Sequence, residues 1–134
     1  MIIDAKDAIL GRLSAYVAKR LLKGESILIV NGEKAIITGD RKKIFERYLQ
    51  RKQRGDVYKG PFFPRKPNLI VKRAISGMLP KNKKGENALK KLRVYIGLPE
   101  KLKDKNIEHF DNKKDVTTTF IRIENLSKKL GWSA

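Results

Sequence analysis

The side chains best placed to do chemistry are cations. Lys43, Arg47, Arg51 and Arg54 follow one another at spacings of four, four and three, which stacks them along one face of a helix. Long basic side chains in such a row follow a phosphate backbone and release its condensed counterions. Arg adds a planar fork that matches phosphate oxygens. Internal salt bridging is the alternative, and it fails on supply. Between positions 41 and 54 seven basic residues, Arg41, Lys42, Lys43, Arg47, Arg51, Lys52 and Arg54, face the single acid Glu46.

Further cations extend this chemistry. Lys59–Gly60–Pro61–Phe62–Phe63–Pro64–Arg65–Lys66 interleaves aromatic rings with charge. Two readings stay open for the rings: stacking on an unpaired base beside phosphates held by Lys59, Arg65 and Lys66, or pinning the loop to the core. Lys72 and Arg73 fall on the side of their helix away from its apolar face. Lys81, Lys83 and Lys84 flank Asn82 and Gly85 in what reads as a flexible basic loop. Lys90, Lys91 and Arg93 complete the expected RNA-binding set.

Other chemistries are poorly supplied. There is no Cys and one His, so zinc knuckles, disulfides, thiol nucleophiles and multi-histidine metal sites are excluded. His109, between Glu108 and Phe110 in a charged spacer, lacks converging partners for catalysis and reads as solvated. No Ser sits in a nucleophile elbow. Thr38–Gly39–Asp40 joins a strand end to a helix start, where N–H groups hold phosphate. The Gly-rich phosphate loop is missing, however, so helix capping by Asp40 is the better reading. By chemistry alone Gly77 and Met78 read as a close helix–sheet contact and a core filler, and Trp132 as an anchor for the tail.

These residues need a frame, and the apolar pattern supplies one. Ile2–Asp4 and Ile27–Val30 read as strands, the second buried on both faces. Between them Leu10, Leu13, Val17 and Leu21 form one helical stripe that Gly24 closes. Ala35–Ile37 is a further short strand. In the helix over about 41–54, Ile44, Phe45, Tyr48 and Leu49 face the core, opposite the cationic row. Pro67 opens a helix whose buried face is marked by Leu69, Ile70, Ala74, Ile75, Met78 and Leu79. Leu89 and Leu92 suggest a helical turn before a strand at Val94–Ile96. Residues 99–115 read as charged and irregular, followed by a strand near Thr117–Ile121 and a short helix carrying Leu126 and Leu130. Strands alternating with helices argue for an α/β sandwich around a mostly parallel sheet, with helices on both sheet faces.

Composition fits one such unit. With 134 residues and 40 % hydrophobic side chains, the chain supports one core, and residues 1–134 are expected to form a single domain. Thirty-two basic against 14 acidic residues leave a net charge of +18, which a polyanion would neutralise. The excess is local: residues 1–40 carry +1 (6 basic, 5 acidic), 41–105 carry +16 (21 and 5), and 106–134 carry +1 (5 and 4). Neither a membrane span nor a signal peptide is visible, so a cytosolic protein is expected.

Several motifs, in order, resemble a known family. Asp4–Ala5, Leu10–Gly11–Arg12–Leu13, Asn31–Gly32–Glu33–Lys34 and Thr38–Gly39 are followed by Val71–Lys72–Arg73, Gly77–Met78–Leu79–Pro80, Gly85 and Leu92–Arg93–Val94–Tyr95–Ile96–Gly97. The set is similar to the large-subunit ribosomal protein L13 family, over about residues 2–98, with 99–134 as an extension. The resemblance implies a three-layer α/β/α sandwich with a four-stranded parallel sheet, no catalysis, no cofactor and no small-molecule substrate. It also implies burial among rRNA helices beside neighbouring ribosomal proteins, and a role early in subunit assembly. Both ends depart from bacterial members and look like the archaeal and eukaryotic branch. A free-standing regulatory RNA-binding module and a nucleotide-binding enzyme are the rival classes.

Overall fold

The computed structural model describes residues 1–53, 66–110, 112 and 118–132. In chain order the elements are β1 (Ile2–Asp4), α1 (Leu10–Leu22), β2 (Ile27–Val30), β3 (Ile36–Thr38), α2 (Arg41–Gln53), α3 (Pro67–Gly77), α4 (Lys83–Leu89), β4 (Leu92–Val94), β5 (Glu108–His109), β6 (Phe120–Arg122) and α5 (Ile123–Lys129). Single 3₁₀ turns lie at Gly32–Lys34 and Glu100–Leu102. Among the described residues no helix is long and apolar enough to cross a membrane.

The main sheet has four strands in the order β4-β2-β1-β5, and every pairing is parallel. Register decides which side chains share a face. Ile3 pairs with Ile29, Ile27 with Leu92, and Ile29 with Val94, and in-register parallel partners point the same way. These five residues meet the buried stripes of α1 (Leu13, Val17, Leu21) and α3 (Ile70, Val71, Ile75) in one large core. The opposite face carries Ile2, Leu28 and Val30, closed by Leu102 of the second 3₁₀ turn and by Tyr95 and Ile107. The result is a helical layer, the sheet and a thinner third layer.

β3 and β6 form a separate antiparallel ribbon, with Ile36 opposite Arg122 and Thr38 opposite Phe120. Ile36 N–H donates to Ala8 O at 2.9 Å, which ties the ribbon to the chain ahead of α1, and Ile123 N–H to Ala35 O at 3.0 Å, which ties the start of α5 to the residue before β3. α1 ends as its sequence predicts: Gly24 adopts φ +94° and its N–H donates to Leu21 O at 3.0 Å.

Several expectations change. The helix expected at Leu89–Leu92 lies earlier, at Lys83–Leu89, because the Asn82 side chain accepts from Gly85 N–H at 3.1 Å and caps it. Lys83 and Lys84 therefore sit in a first helical turn rather than a loop. The strand expected at Val94–Ile96 is Leu92–Val94, though Tyr95 N–H still donates to Ile29 O at 2.8 Å. Within the stretch read as irregular, Glu108 and His109 form the fourth sheet strand. Leu69 and Met78, read as buried, are 40 % and 47 % exposed. Gly77 makes no close helix–sheet contact, since a Cβ built there would meet nothing within 4 Å.

Candidate nucleic-acid interface

α2 positions the cationic row. Asp40 caps the helix through its carboxylate, which accepts from Lys42 N–H at 2.9 Å, while its carbonyl accepts from Ile44 N–H at 3.0 Å. The expected capping role for Asp40 is what the structure shows. Ile44 and Tyr48 are buried and Phe45 and Leu49 half-buried, so the helix is held by this side. Lys42, Lys43, Arg47 and Arg51 are exposed. Among the described residues no ion pair joins any of them to a carboxylate; the three pairs present are Arg20–Glu25, His109–Asp4 and Arg122–Asp7. Arg41 is also exposed, but its Nε donates to Phe120 O at 2.9 Å and so helps fasten α2 to the β3–β6 ribbon.

The last described member of the row is held most firmly. The Arg51 guanidinium lies 5.3 Å from the centroid of the Tyr48 ring, within cation–π range. Burial raises the Tyr48 phenol pKa above its ordinary value, against the opposing pull of the Arg51 and Arg47 charges.

Arg51 also opens onto a groove of about 1240 Å³ between α2, α3 and α4, which it lines with Lys72, Arg73 and Lys81. The fold thus brings together four cations spread over 31 positions of sequence. Lys72 is half-buried at its stem and Arg73 and Lys81 are exposed. The groove also holds Leu69 and Met78, which the sequence reading had placed in the core. A helical count places Leu69 correctly: it precedes Lys72 and Arg73 by three and four residues and must share their face.

The remaining expected residues are not gathered there. Lys66 is exposed at the start of α3, where its carbonyl accepts from Leu69 and Ile70 N–H. Lys83 and Lys84 are exposed on α4, and Lys90 and Lys91 follow it. Lys91 Nζ reaches back to donate to Gly24 O at 3.4 Å. Arg93 pairs with Leu28 and so points from the third-layer face of the sheet, away from the helices. The Lys52 side chain, Arg54, Lys59, Arg65 and the Phe62–Phe63 pair lie outside the described residues. His109 is exposed at the sheet edge, its Nδ1 3.8 Å from Asp4 Oδ2.

An exposed cation row and a cationic groove on one side of a small parallel sheet can be compared with known proteins. Residues 1–101 match the family model described as Ribosomal protein L13. The chain belongs to the ribosomal protein L13 family. The Large ribosomal subunit protein uL13 of Methanopyrus kandleri is 48 % identical, covering 98 % of this chain and 86 % of the relative. That of Thermoplasma volcanium is 48 % identical and covers 97 % of both chains. That of Methanocaldococcus jannaschii is 45 % identical, covering 97 % of this chain and 96 % of the relative. These relatives are archaeal, in keeping with the branch expected from the chain ends. With 97–98 % of this chain covered, their similarity extends past residue 101, where the family-model match ends. The L13 family is one of structural ribosomal proteins rather than enzymes.

Proposed function

We propose that this chain is a structural constituent of the large ribosomal subunit, in the cytoplasm, and binds rRNA through its basic central surface. The identity of the archaeal relatives as large-subunit proteins supports the first part. The second rests on one observation: Lys43, Arg47 and Arg51 stand exposed along α2, with no carboxylate partner among the described residues, in a segment carrying +16. The interface comprises Arg41–Lys43, Arg47, Arg51, Lys52 and Arg54 along α2 and just beyond it. It continues through Lys59, Arg65, Lys66, Lys72 and Arg73 to Lys81, Lys83, Lys84, Lys90, Lys91 and Arg93.

The mechanism is charge neutralisation joined to shape. Phosphates of neighbouring rRNA segments repel one another, and a rigid cationic surface between them lowers that repulsion as bound counterions are released. A protein acting in this way supports early subunit assembly, before the RNA has been compacted by other means. Neighbouring ribosomal proteins are further partners.

Sucrose-gradient sedimentation of cell extract tests the reading. Nearly all copies of the chain are expected with large subunits and their precursors. A mainly free population would favour the regulatory RNA-binding module instead.

A further inference from the structure

The groove between α2, α3 and α4 has features that a row of phosphate contacts does not require. Two of the large hydrophobic side chains that stay exposed in this chain, Leu69 and Met78, line this one groove. The lining also holds the cations Arg51, Lys72 and Lys81, and among the described residues its one carboxylate belongs to Glu86. A lining that combines exposed apolar side chains with cations suits a ligand that has flat apolar faces strung on an anionic chain. Duplex RNA presents phosphates and 2′-hydroxyls while its bases stay stacked; a single-stranded segment offers both parts. At about 1240 Å³ the groove also exceeds the ~300–1,000 Å³ usual for small-molecule sites, which fits a stretch of chain better than a free nucleotide.

Gly77 supplies an independent observation. It ends α3, where glycine is less stabilising than alanine. Its φ is not positive, and an added Cβ would meet nothing within 4 Å of this chain. No contact inside the described protein therefore calls for glycine. Yet Gly77 lines the groove beside Met78, where a missing side chain lets another molecule approach the backbone closely.

We infer that this groove receives an unpaired, splayed-out segment of RNA, with a base against Leu69 and Met78, its backbone close to Gly77, and its phosphates at Arg51, Lys72 and Lys81. The inference rests on the rRNA-binding reading above and names the form of RNA this part of the surface takes.

The chain's two methionines, Met1 and Met78, both exposed, allow a direct test. Peroxide oxidation of each is followed by mass spectrometry in the free full-length chain, in its complex with large-subunit rRNA, and in its complex with a blunt RNA duplex. Met78 is expected to oxidise readily when free and on the duplex, and about tenfold more slowly on rRNA, with Met1 changing less. In parallel, Gly77→Ala is expected to leave the melting temperature unchanged or raised, yet to weaken rRNA binding about tenfold without changing duplex binding. Unaltered Met78 oxidation in an rRNA complex of normal affinity would overturn the groove assignment and leave the rRNA-binding reading standing. Failure to bind rRNA at all would remove both. Slow oxidation of Met78 in the free chain would show the chain covering its own groove. Protection appearing only in the assembled subunit, and not on rRNA alone, would assign the groove to a neighbouring protein. Either of these last results overturns the inference.

Discussion

The Glu33 carboxylate accepts a hydrogen bond from the Gly97 backbone N–H at 2.8 Å, across 64 positions of sequence. It is one strand of a larger tie. Asn31 N–H donates to Gly97 O at 2.9 Å and Gly32 N–H to Tyr95 O at 3.1 Å. A Cβ on Gly32 would lie 2.9 Å from Val94 Cγ1. Two segments that carry the family resemblance, 31–34 and 92–97, therefore hold each other at the end of β2 and β4. The contacts between them are structural.

Glu33→Ala should accordingly cost about 1–3 kcal/mol of folding stability, because it leaves a partly buried N–H without its partner. The salt dependence of rRNA binding should not change. Urea unfolding and binding titrations at several salt concentrations check both halves; a flatter salt slope would mean that Glu33 shapes the RNA surface.

Gly85 and Gly11 should respond oppositely to alanine. A Cβ on Gly85 would sit 1.8 Å from Pro80 O, whereas one on Gly11 meets nothing within 4 Å. Gly85→Ala forces backbone apart at the start of α4 and should destabilise by at least about 1–3 kcal/mol. Gly11→Ala, in α1, should stabilise by roughly 0.5–1 kcal/mol. Thermal unfolding of the two variants decides, and a stable Gly85→Ala would contradict the packing described for α4.

Replacing Arg47 and Arg51 with Ala should lower the log–log salt slope of rRNA binding by about 1.6, at ~0.9 for a lost duplex phosphate contact at Arg47 and ~0.7 for a lost single-strand contact at Arg51. An unchanged slope removes both residues from the phosphate-contacting surface.

Charge reversal separates folding from binding. Lys43, Arg47 and Arg51 changed to Glu should lose only the Arg51–Tyr48 ring contact and keep the fold, since all three are exposed and reversal relieves local self-repulsion, while incorporation into large subunits falls sharply. Lys103, Lys105 and Lys128, also exposed, form the matched control. Lys129 is unsuitable because its Nζ lies over the Phe45 ring at 5.7 Å. Equal loss of incorporation from both triple variants would assign function to total charge.

Tyr48 predicts an alkaline limit. Burial raises its pKa in the fold above the unfolded value of about 10, so the neutral phenol favours folding. That contribution is complete below the unfolded pKa and is lost as pH rises through the folded one. Compared with Tyr48→Phe, the wild-type chain should lose stability above about pH 10 and show a level difference from about pH 7 to 9. Urea unfolding across this range tests it; a level difference throughout would deny the burial effect.

How far the sequence carried is clearest at three places. α1 and α2 were legible because their buried and exposed residues recur at helical spacing, and Asp40 announced its cap. α4 was hidden because Lys83–Lys84–Gly85 has no apolar period and its start depends on one side chain, Asn82, folding back to Gly85. β5 was hidden more deeply. Glu108 and His109 are both exposed and pair with β1 through backbone and one surface contact, His109 to Asp4, so no apolar alternation marks them. In the candidate interface the α2 row was plain from its spacing, whereas the groove was masked by reading Leu69 and Met78 as core merely because they are apolar.

The placement of β5 and β6 also sets a timetable. β1 is bordered by β2 and β5, and β3 by β6, so these early strands are completed by segments made about 105 and about 84 residues later. At about 5–20 residues per second, the interval between synthesis of Ile2 and of Phe120 is roughly 6–24 s. Within it β1 waits for β5 and β3 waits for β6, each with an edge of unpaired backbone groups, while the +16 segment is made. A ribosome translating this chain therefore carries, for many seconds, a half-edged sheet joined to a polycation. The pairing that ends this vulnerable period waits for a strand made after the whole +16 segment.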